Sequence, residues 1–383
     1  MIISRLVARN WKNFVSIDLE MADRAFLVGP NASGKSNLLD LFHFMKDLVA
    51  PGGGLYQAVT RRGGLELIRS LASPERARIK IELHFGSGRS GDTPWRYALT
   101  LKPRPGKPAI PLVASEQVWS GEHLILDRPN EADKKDRERL RQTFLENVVT
   151  NADFRSIADF FNSSLYFHLI PHEFRREIDS GNDFLSRGFS RGDFFRQVAD
   201  CAPKTRAARF RKIEAALKLS IPLLEKLSLE ELPEGNPRIE STFRNWRKNS
   251  PPLRDRQLSD GLIRLIGILW SLMDNNSLLL LEEPELSLNT AVVRQLPGLI
   301  HRFRKHPSSQ VILSTHSPEL LSDPGIDGKE VMLLLPAEDR SIKVVRAADL
   351  PDVNTLLEQG ISVGDVVLPR TQPARIEELG YFQ

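Results

Sequence analysis

The sequence predicts an α/β protein in which one lobe, built around a mixed sheet, is interrupted along the chain by an inserted and mainly helical lobe. A short apolar run at 25–28 leads into a glycine-containing turn, and apolar residues then recur at helical spacing over 38–49. Apolar runs typical of buried parallel strands return at 278–281 and 311–313, after a middle segment in which helical periodicity dominates. Strand-rich stretches on both sides of a helical one favour a single sheet lobe formed by the two ends of the chain.

The remaining strands are predicted from shorter patterns. Apolar and polar residues alternate over 79–85 and over 95–101, which predicts two half-buried antiparallel strands, and the glycines between them supply turns. Towards the C-terminus, the apolar residues 331–335 predict a further buried strand.

The middle segment is expected to be helical. Apolar residues recur there at helical spacing, for example at Phe210, Ile213, Leu217 and Leu224. The charge run 133–139 predicts the solvated face of a helix. No sustained heptad repeat occurs, which excludes a long coiled-coil arm.

Length and composition are those of a globular protein with two or three lobes, since the chain has 383 residues and domains average roughly 150. A net charge of only +4 excludes a protein that coats nucleic acid by charge alone. The single cysteine, Cys201, excludes a disulfide framework and a cysteine-based zinc cluster. Neither a signal peptide nor an apolar stretch long enough to span a membrane is found, so we expect a cytoplasmic protein without membrane contact.

A phosphate-binding loop is the most specific motif. Residues 29–36 match the pattern G-x-x-x-x-G-K-[ST], with an apolar strand before it and an amphipathic helix after it. Its glycines allow backbone N–H groups to turn towards phosphates, Lys35 can reach the β- and γ-phosphates, and Ser36 can bind Mg²⁺. The candidate nucleotide-binding residues are Gly29, Pro30, Asn31, Ala32, Ser33, Gly34, Lys35, Ser36 and Asn37.

Acidic residues follow the apolar strand 278–281. Glu282 is the candidate magnesium ligand, and Glu283 is the candidate base for the attacking water. A solvated turn is the alternative interpretation of these glutamates, and it applies most to Glu285, to which we assign no catalytic role. The next apolar strand ends at His316, a position suited to sensing the γ-phosphate.

Residues 258–261 read L-S-D-G and precede an apolar helix over 262–273. Taken alone, this segment is an ordinary helix N-cap, but it lies one helix before the acidic strand. Ser36 and Glu282 are 246 residues apart, far more than in AAA+ motors or small-molecule kinases, so a whole domain is inserted between them. The guanine-specific motif of GTPases does not occur.

The four segments read G-P-N-A-S-G-K-S-N, L-S-D-G-L-I-R-L, L-L-L-L-E-E-P-E-L-S-L and V-I-L-S-T-H-S-P. In this order they resemble the motifs of ABC-type ATPases of the RecF/SMC/OLD group, and more narrowly the stand-alone bacterial AAA family ATPases with an ATPase AAA-type core. The opening residues 7–14 fit the first strand and turn of that group, and the resemblance extends from about residue 3 to residue 335.

The resemblance implies a P-loop NTPase of the ABC head type, with ATP and Mg²⁺ as cofactors and a homodimer that encloses two ATP molecules. Each ATP would lie on Lys35 and Ser36 of one subunit. Ser259 and Gly261 of the other subunit would close over the γ-phosphate. Hydrolysis would then open the dimer and move the helical lobe. The expected divisions are a sheet lobe at 1–115 and 257–345, the inserted lobe at 116–256 and a C-terminal tail at 346–383.

The sequence departs from the family pattern in several places. The magnesium carboxylate is usually aspartate, where this chain has Glu282, and the segment after the acidic strand has Asn289 where relatives often have histidine. No clear Q-loop occurs, and the turn at 171–173 is a weak candidate. Arg9 and Lys12 could approach the nucleotide from the first turn.

The resemblance favours an ATP-driven conformational switch that acts on double-stranded DNA or with a partner nuclease or effector, in bacterial defence or DNA repair. The segment 171–256 holds 18 Lys/Arg and 13 Asp/Glu, a local excess that suits DNA contact as well as a merely solvated surface. The basic residues to test are Arg175, Arg176, Arg206, Arg209, Arg211, Lys212, Arg244, Arg247 and Lys248.

Two other functions are open. One is the nucleotide-binding subunit of a transporter, although the signature lacks the G-G-Q continuation of that class. The other is an ATPase that regulates a nuclease without contacting DNA itself. A fused metal-dependent nuclease is disfavoured, because only 67 residues follow His316 and such a domain needs about 100.

Overall fold

The computed structural model describes residues 1–74, 77–86, 94–104, 107–169, 191–230, 238–244, 251–254, 257–274, 276–303, 309–337 and 341–372. The strands in this part of the chain are β1 Ile2–Trp11, β2 Phe14–Glu20, β3 Arg24–Val28, β4 Ile79–Gly86, β5 Trp95–Arg104, β6 Lys107–Ser120, β7 His123–Arg128, β8 Leu165–Phe167, β9 Leu224–Glu230, β10 Arg238–Phe243, β11 Leu253–Arg254, β12 Leu278–Glu282, β13 Gln310–Thr315, β14 Val331–Pro336 and β15 Ile342–Arg346.

The α-helices of the described residues are α1 Lys35–Val49, α2 Leu55–Thr60, α3 Leu65–Ile68, α4 Glu131–Lys135, α5 Arg155–Asn162, α6 Arg191–Asp200, α7 Pro203–Ser220, α8 Asp260–Met273, α9 Thr290–Val293, α10 Leu296–Phe303, α11 Pro318–Leu321, α12 Pro351–Glu358 and α13 Val363–Val367. The strands and helices predicted at 25–28, 38–49, 79–85, 95–101, 262–273, 278–281, 311–313 and 331–335 are all present.

A mostly parallel sheet brings together segments that lie far apart along the chain. Its strand order is β15-β14-β3-β13-β12-β8, and only β15 runs antiparallel to its neighbour. Every residue of β3, β12 and β13 is buried, as expected for strands that are covered on both faces. The carboxyl ends of β3, β12 and β13 therefore meet at one edge of the sheet.

The two faces of this sheet support separate hydrophobic cores. On one face, α1 packs between the parallel sheet and an antiparallel sheet of order β2-β1-β4-β5-β6-β7, and Leu38, Phe42 and Met45 of α1 are fully buried there. On the other face, α8 and the C-terminal helices form a second core. Burial of each large apolar side chain contributes roughly 1.5–3 kcal/mol, so α1 is anchored firmly between the sheets.

The inserted segment contributes to more than one layer. Strand β6 crosses the expected boundary between residues 115 and 116, and β8 joins the parallel sheet beside β12. The described insertion also contains β7, the helices α4 to α7 and a three-stranded sheet of order β11-β10-β9. The C-terminal residues 351–371, expected to be a tail, pack Val363, Val366 and Val367 into the second core.

Two local predictions were wrong. The helical spacing of Phe210, Ile213 and Leu217 continues to Leu224, but helix α7 ends at Ser220 and Leu224 begins a strand. The residue at the helix C-cap, Ile221, is followed by proline, which cannot continue a helical hydrogen-bond ladder.

The charge run 133–139 is also not a purely solvated face. The Asp133 side chain is fully buried and closes a capping box with Asn130 at the start of α4. It forms an ion pair of 3.0 Å with Arg128, whose guanidinium also contacts Glu116 at 2.9 Å. A single buried arginine therefore turns part of a charge-rich segment into an interior ion cluster.

No helix in the described part of the chain is both long enough and apolar enough to cross a membrane.

We expect Asp133→Ala to lower the free energy of unfolding by about 3 kcal/mol, because it leaves the buried Arg128 guanidinium with fewer acidic partners. Urea unfolding measures this difference. Glu131→Ala is the matched control, because Glu131 pairs with Lys134 at 2.6 Å but is 80% exposed, and its loss should stay below about 0.5 kcal/mol. Equal losses in the two variants would contradict this account of the cluster.

Candidate functional site

The loop between β3 and α1 has the backbone conformation that phosphate binding requires. Ala32 and Gly34 have φ values of 62° and 96°, in the left-handed region. Gly34 is the N-cap residue of α1, so the loop passes directly into the N-terminus of a 15-residue helix. Backbone N–H groups at such a turn and helix start form an anion-binding site.

Packing explains why both glycines of the loop lack a side chain. A Cβ added at Gly34 would overlap the side-chain amide of Asn13. A Cβ added at Gly29 would lie 2.6 Å from the backbone oxygen of Leu334 in the neighbouring strand β14. Contact therefore requires glycine at both positions, and at Gly34 the left-handed backbone requires it as well.

The turn between β1 and β2 supports the loop from outside. Asn13 donates from Nδ2 to the Ser33 oxygen at 3.0 Å, and its Oδ1 accepts from Asn37 at 2.9 Å. Trp11 donates from Nε1 to the Asn37 oxygen at 2.8 Å. Sequence reasoning missed Asn13 and Trp11 as supports of the loop, because neither belongs to the loop motif and the contact depends on tertiary packing.

Lys35 lies under the loop and is 6% exposed. Its Nζ donates to the oxygens of Gly29 at 3.0 Å and Pro30 at 3.1 Å. Burial lowers the pKa of Lys35, while the nearby carboxylates of Glu283 and Glu282 act to raise it. The ammonium group is thus held by backbone oxygens at the start of the loop.

Glu282 is the point at which several elements meet. Its carboxylate accepts hydrogen bonds from Ser36 of α1 and from the Tyr166 hydroxyl of β8, and His168 Nδ1 lies 3.2 Å from its Oε2. Burial alone would raise the pKa of Glu282, but the nearby His168 ring and the hydrogen bonds from Ser36 and Tyr166 outweigh burial and hold it below its ordinary value. Glu282 is therefore an ionised carboxylate beside a hydroxyl group.

Tyr166 and His168 were not predicted as site residues. Tyr166 is the central residue of β8 and His168 follows the last residue of that strand, and the Tyr166 ring stacks on His43 of α1 with a centroid distance of 4.9 Å. The pattern Y-x-H at the end of the edge strand is the signal that could have identified them, since alternate residues of an extended segment share one face. They fix Glu282 from the side opposite to Ser36.

Ser36 and Glu282 supply oxygen atoms of the type that Mg²⁺ prefers. Among the described residues no cluster of three or more His, Cys, Asp or Glu side chains is arranged to hold a metal ion. A pair of protein oxygens still fits Mg²⁺, which usually keeps several waters and takes further oxygens from phosphates.

Glu283 has a strained backbone. Its φ is 44°, which is uncommon for a residue other than glycine, and its N–H donates to the Ser314 oxygen at 3.1 Å. Its own backbone oxygen accepts a hydrogen bond from Arg264 at 3.1 Å. These contacts turn the side chain towards β13, where Glu283 Oε1 lies 3.6 Å from His316 Nε2.

His316 follows the last residue of β13, so it lies beside both the loop and Glu283. Burial lowers the pKa of His316, the nearby Lys35 charge lowers it further, and Glu283 acts in the opposite direction. The imidazole is about one third exposed, with 35% of its side-chain surface accessible. Lys35, Glu283 and His316 therefore face one another across the carboxyl edge of the sheet.

Ser259 and Gly261, the signature residues, have contacts of their own at the start of α8. Ser259 is exposed, and its hydroxyl caps α8 by accepting from the Leu262 N–H at 3.3 Å. Gly261 packs against the backbone oxygen of Ser287, which leaves no room for a Cβ. Within the described residues, no hydrogen bond joins either of them to the loop 29–37.

Two further residues from the sequence analysis can be placed, Lys12 and Asn289, whereas the Q-loop candidate at 171–173 lies outside the described residues. Lys12 forms an ion pair with Asp40 of α1 at 2.5 Å, so it supports the helix after the loop. Asn289, whose role was uncertain, is the N-cap of α9 and accepts from the Ala291 N–H at 2.9 Å.

Residues 24–322 match the protein family described as "AAA domain, putative AbiEii toxin, Type IV TA system". The match includes the loop, the signature, the acidic strand and His316. No curated protein is significantly similar in sequence to the chain.

Two solved structures are similar in fold. One is an SMC head bound to the C-winged helix domain of ScpA, with a TM-score of 0.53, 16% identity, and coverage of 90% of this chain and 97% of that one. The other is an Smc head domain with an extended coiled coil, bound to the C-terminal domain of ScpA and derived from Pyrococcus furiosus, with a TM-score of 0.50, 14% identity, and coverage of 94% and 99%. At these identities the likeness concerns the fold. The predicted ABC-type head fold is confirmed.

We expect Gly34→Ala to lower the free energy of unfolding by more than about 2 kcal/mol, because a left-handed backbone and an overlap with Asn13 act together. Chemical unfolding followed by circular dichroism measures the loss. Gly52→Ala is the control, since Gly52 also has a positive φ, of 71°, but a Cβ there would meet nothing within 4 Å. Its loss should be about 1 kcal/mol, and equal losses would show that the Asn13 contact has no effect.

Proposed function

Because the chain belongs to this AAA-domain family, we propose that it is an ATP-hydrolysing conformational switch. The observation that carries the proposal is the convergence of Lys35, Ser36, Glu282, Glu283 and His316 at the carboxyl ends of three adjacent strands. These residues come from three motifs spread over 282 positions of the chain, from 35 to 316. Their meeting in space is the arrangement that phosphoryl transfer to water needs.

The proposed roles follow from the contacts of each residue. The N–H groups of the loop and the start of α1 bind the phosphates, and Lys35 adds a positive charge. Ser36 and Glu282 would hold Mg²⁺, which when bound supplies positive charge to the phosphate oxygens. Tyr166 and His168 keep the Glu282 carboxylate in place by donating to it or lying beside it.

Glu283 is the proposed general base. Its carboxylate is 31% exposed at the edge of the sheet, so a water molecule can reach it. It would take a proton from that water as the water oxygen attacks the γ-phosphorus and the bond to the ADP oxygen breaks, which yields ADP and phosphate. His316, 3.6 Å from Glu283, is placed to contact the γ-phosphate.

The exposed signature supports a dimer. Ser259 and Gly261 are at the N-terminus of α8. Among the described residues of a single chain, neither forms a hydrogen bond to the loop 29–37. In a head-to-head homodimer they would close over the nucleotide bound to the partner subunit, with the positive end of α8 directed at the γ-phosphate. ATP would then act as part of the interface.

Arg264 links the catalytic edge to the inserted segment. It is 4% exposed, and it donates to the Glu283 oxygen at 3.1 Å and to the Leu169 oxygen at 2.7 Å. The same helix, α8, packs Trp270 against Phe194 of α6 and Phe210 of α7. A change at Glu283 can therefore reach the insertion through one rigid helix, which is the basis proposed for converting hydrolysis into motion.

The surface of α7 supports contact with DNA. The helix holds six basic residues and one acidic residue, and Lys204, Arg211 and Lys212 are exposed. Arg209 serves the fold instead, because it pairs with Asp274 at 3.1 Å and lies over the Trp270 ring. Of the other basic positions, Arg244 pairs with Glu225, whereas Arg175, Arg176, Arg247 and Lys248 lie outside the described residues. A phosphate backbone is the ligand that fits this charge.

We expect Glu283→Gln to bind ATP but to hydrolyse it at least about 100-fold more slowly than the wild-type protein, because the amide cannot accept the proton. With ATP present, this variant should accumulate as a dimer. Release of phosphate and light scattering after gel filtration measure the two effects.

Two variants control this experiment. Lys35→Ala should abolish ATP binding and hence dimer formation. Adding Ser259→Arg to Glu283→Gln should prevent the dimer while leaving ATP binding to the monomer intact, because Ser259 is exposed and its hydroxyl accepts a hydrogen bond from the start of its own helix. Wild-type hydrolysis by Glu283→Gln would disprove its role as base, and full activity in a strict monomer would disprove the enclosed dimer.

We expect the double variant Arg211→Ala/Lys212→Ala to weaken duplex DNA binding about tenfold and to reduce the salt dependence by about two units of slope. Binding is measured by fluorescence anisotropy at several salt concentrations with ATP present. The control Lys134→Ala/Lys135→Ala removes two charges from another exposed helix and should leave both values unchanged. No DNA binding by the wild-type protein at low salt would favour an ATPase that regulates a partner effector without touching DNA.

A further inference from the structure

We propose that Glu285 is a positioning residue that fixes the end of β13 and thereby places His316 next to Glu283. This role rests on the proposed ATPase function, because it matters only if His316 and Glu283 act on a nucleotide. The sequence pattern assigned Glu285 no part in the chemistry, and the structure gives it one through two hydrogen bonds to the neighbouring strand.

The contacts of Glu285 are directed at one short segment. Its Oε1 accepts a hydrogen bond from the Thr315 hydroxyl at 2.6 Å and another from the His316 backbone N–H at 3.0 Å. The Thr315 side chain is fully buried. One carboxylate oxygen therefore holds both the last residue of β13 and the residue that carries the imidazole.

These bonds begin where the strand ladder ends. In the parallel ladder, Glu282 pairs with Ser314, and the Glu283 N–H still donates to the Ser314 oxygen at 3.1 Å. No further ladder hydrogen bond joins β12 to His316 within the described residues. The Glu285 side chain thus supplies the hydrogen bonds that continue from β12 to the end of β13. The turn that carries Glu285 is itself held by backbone hydrogen bonds, from Leu286 to Glu283 and from Leu288 to Glu285.

The carboxyl group of Glu285 is buried, and only one of its two oxygens accepts hydrogen bonds from the described part of the chain. Burial raises the pKa of Glu285, and the bonds from Thr315 and His316 only partly oppose this. Its second oxygen, Oε2, is buried and accepts no hydrogen bond from the described part of the chain. Both hydrogen bonds to Glu285 reach Oε1, and the amide oxygen of glutamine can accept the same two bonds, so glutamine should replace it well.

The positioning role concerns the short distance between His316 and Glu283. His316 Nε2 and Glu283 Oε1 are 3.6 Å apart, and both belong to segments that follow strand ends. Displacement of a reacting group by about 1 Å can slow catalysis roughly 100-fold. Loss of the Glu285 bonds would release the amide that anchors His316, while the loop 29–37 and the nucleotide contacts of Lys35 stay in place.

The test compares Glu285→Ala with Glu285→Gln in ATP hydrolysis and in binding of a fluorescent ATP analogue. We expect the alanine variant to lose about 30-fold in kcat with the analogue's Kd changed less than about twofold, because His316 is displaced but the loop is not. The glutamine variant should keep kcat within about threefold of wild type, since its amide oxygen can accept both hydrogen bonds.

Thr315 provides a second, milder variant in case Glu285→Ala does not fold. Thr315→Val keeps the shape but removes the hydroxyl, which donates to Glu285 and accepts from the Ser317 N–H at 3.0 Å. We expect it to lower kcat about fivefold, and Thr315→Ser to restore it. Glu319→Ala is the matched control, because Glu319 is also a carboxylate that accepts a hydroxyl hydrogen bond, from Ser317 at 2.9 Å, but it is only partly buried and its partner is Ser317 rather than Thr315 or His316.

The outcomes separate the two proposals. Wild-type kcat in both Glu285→Ala and Thr315→Val would overturn the positioning role while leaving the ATPase function intact. A glutamine variant as inactive as the alanine variant would also overturn it, because charge rather than hydrogen bonding would then be required. Absence of ATP hydrolysis by the wild-type protein would instead disprove the proposed function itself.

Discussion

The parallel register of β3, β13 and β12 determines the geometry of the whole candidate site. Val28 pairs with Thr315, and Ser314 pairs with Glu282, so the three strands end at nearly the same level. Each strand is followed at once by a segment with a chemical group: the loop after β3, Glu283 after β12 and His316 after β13. Because side chains in a strand alternate between faces, a shift of one residue in either ladder would separate these groups and expose the buried strands.

The same register explains which parts of the site are readable from the sequence. The loop 29–36, the two glutamates and His316 each follow a short apolar run, and that local pattern reports both the strand and its end. Asn13, Tyr166 and Glu285 have no such pattern, because their partners lie between 20 and 116 positions away and meet them only after the sheets pack. Residues that support a site from a distance are thus harder to identify than residues that form it.

The errors in secondary structure have equally local causes. Helical periodicity through Leu224 is a real feature of the sequence, but it spans a helix end because Leu224 keeps contact with the same core from a strand. Asp133 lies in a run of charges that suggests solvent, and only the buried Arg128, five positions earlier, reveals its ion pair. In both cases the pattern reports burial or charge correctly, and tertiary partners decide the structure.

The position of β3 in its sheet has a consequence for the synthesis of the protein. Its neighbours on the two sides are β13 and β14, so Arg24 pairs with Val311 and Phe26 pairs with Val331, nearly 300 residues later. Until those strands have left the ribosome, the segment that precedes the phosphate loop has no partners in its sheet. Such distant pairing makes folding slow and leaves apolar strands exposed in the nascent chain. The protein can therefore bind a nucleotide only late in translation. Nucleotide binding would then indicate that β3 has paired with β13 and β14.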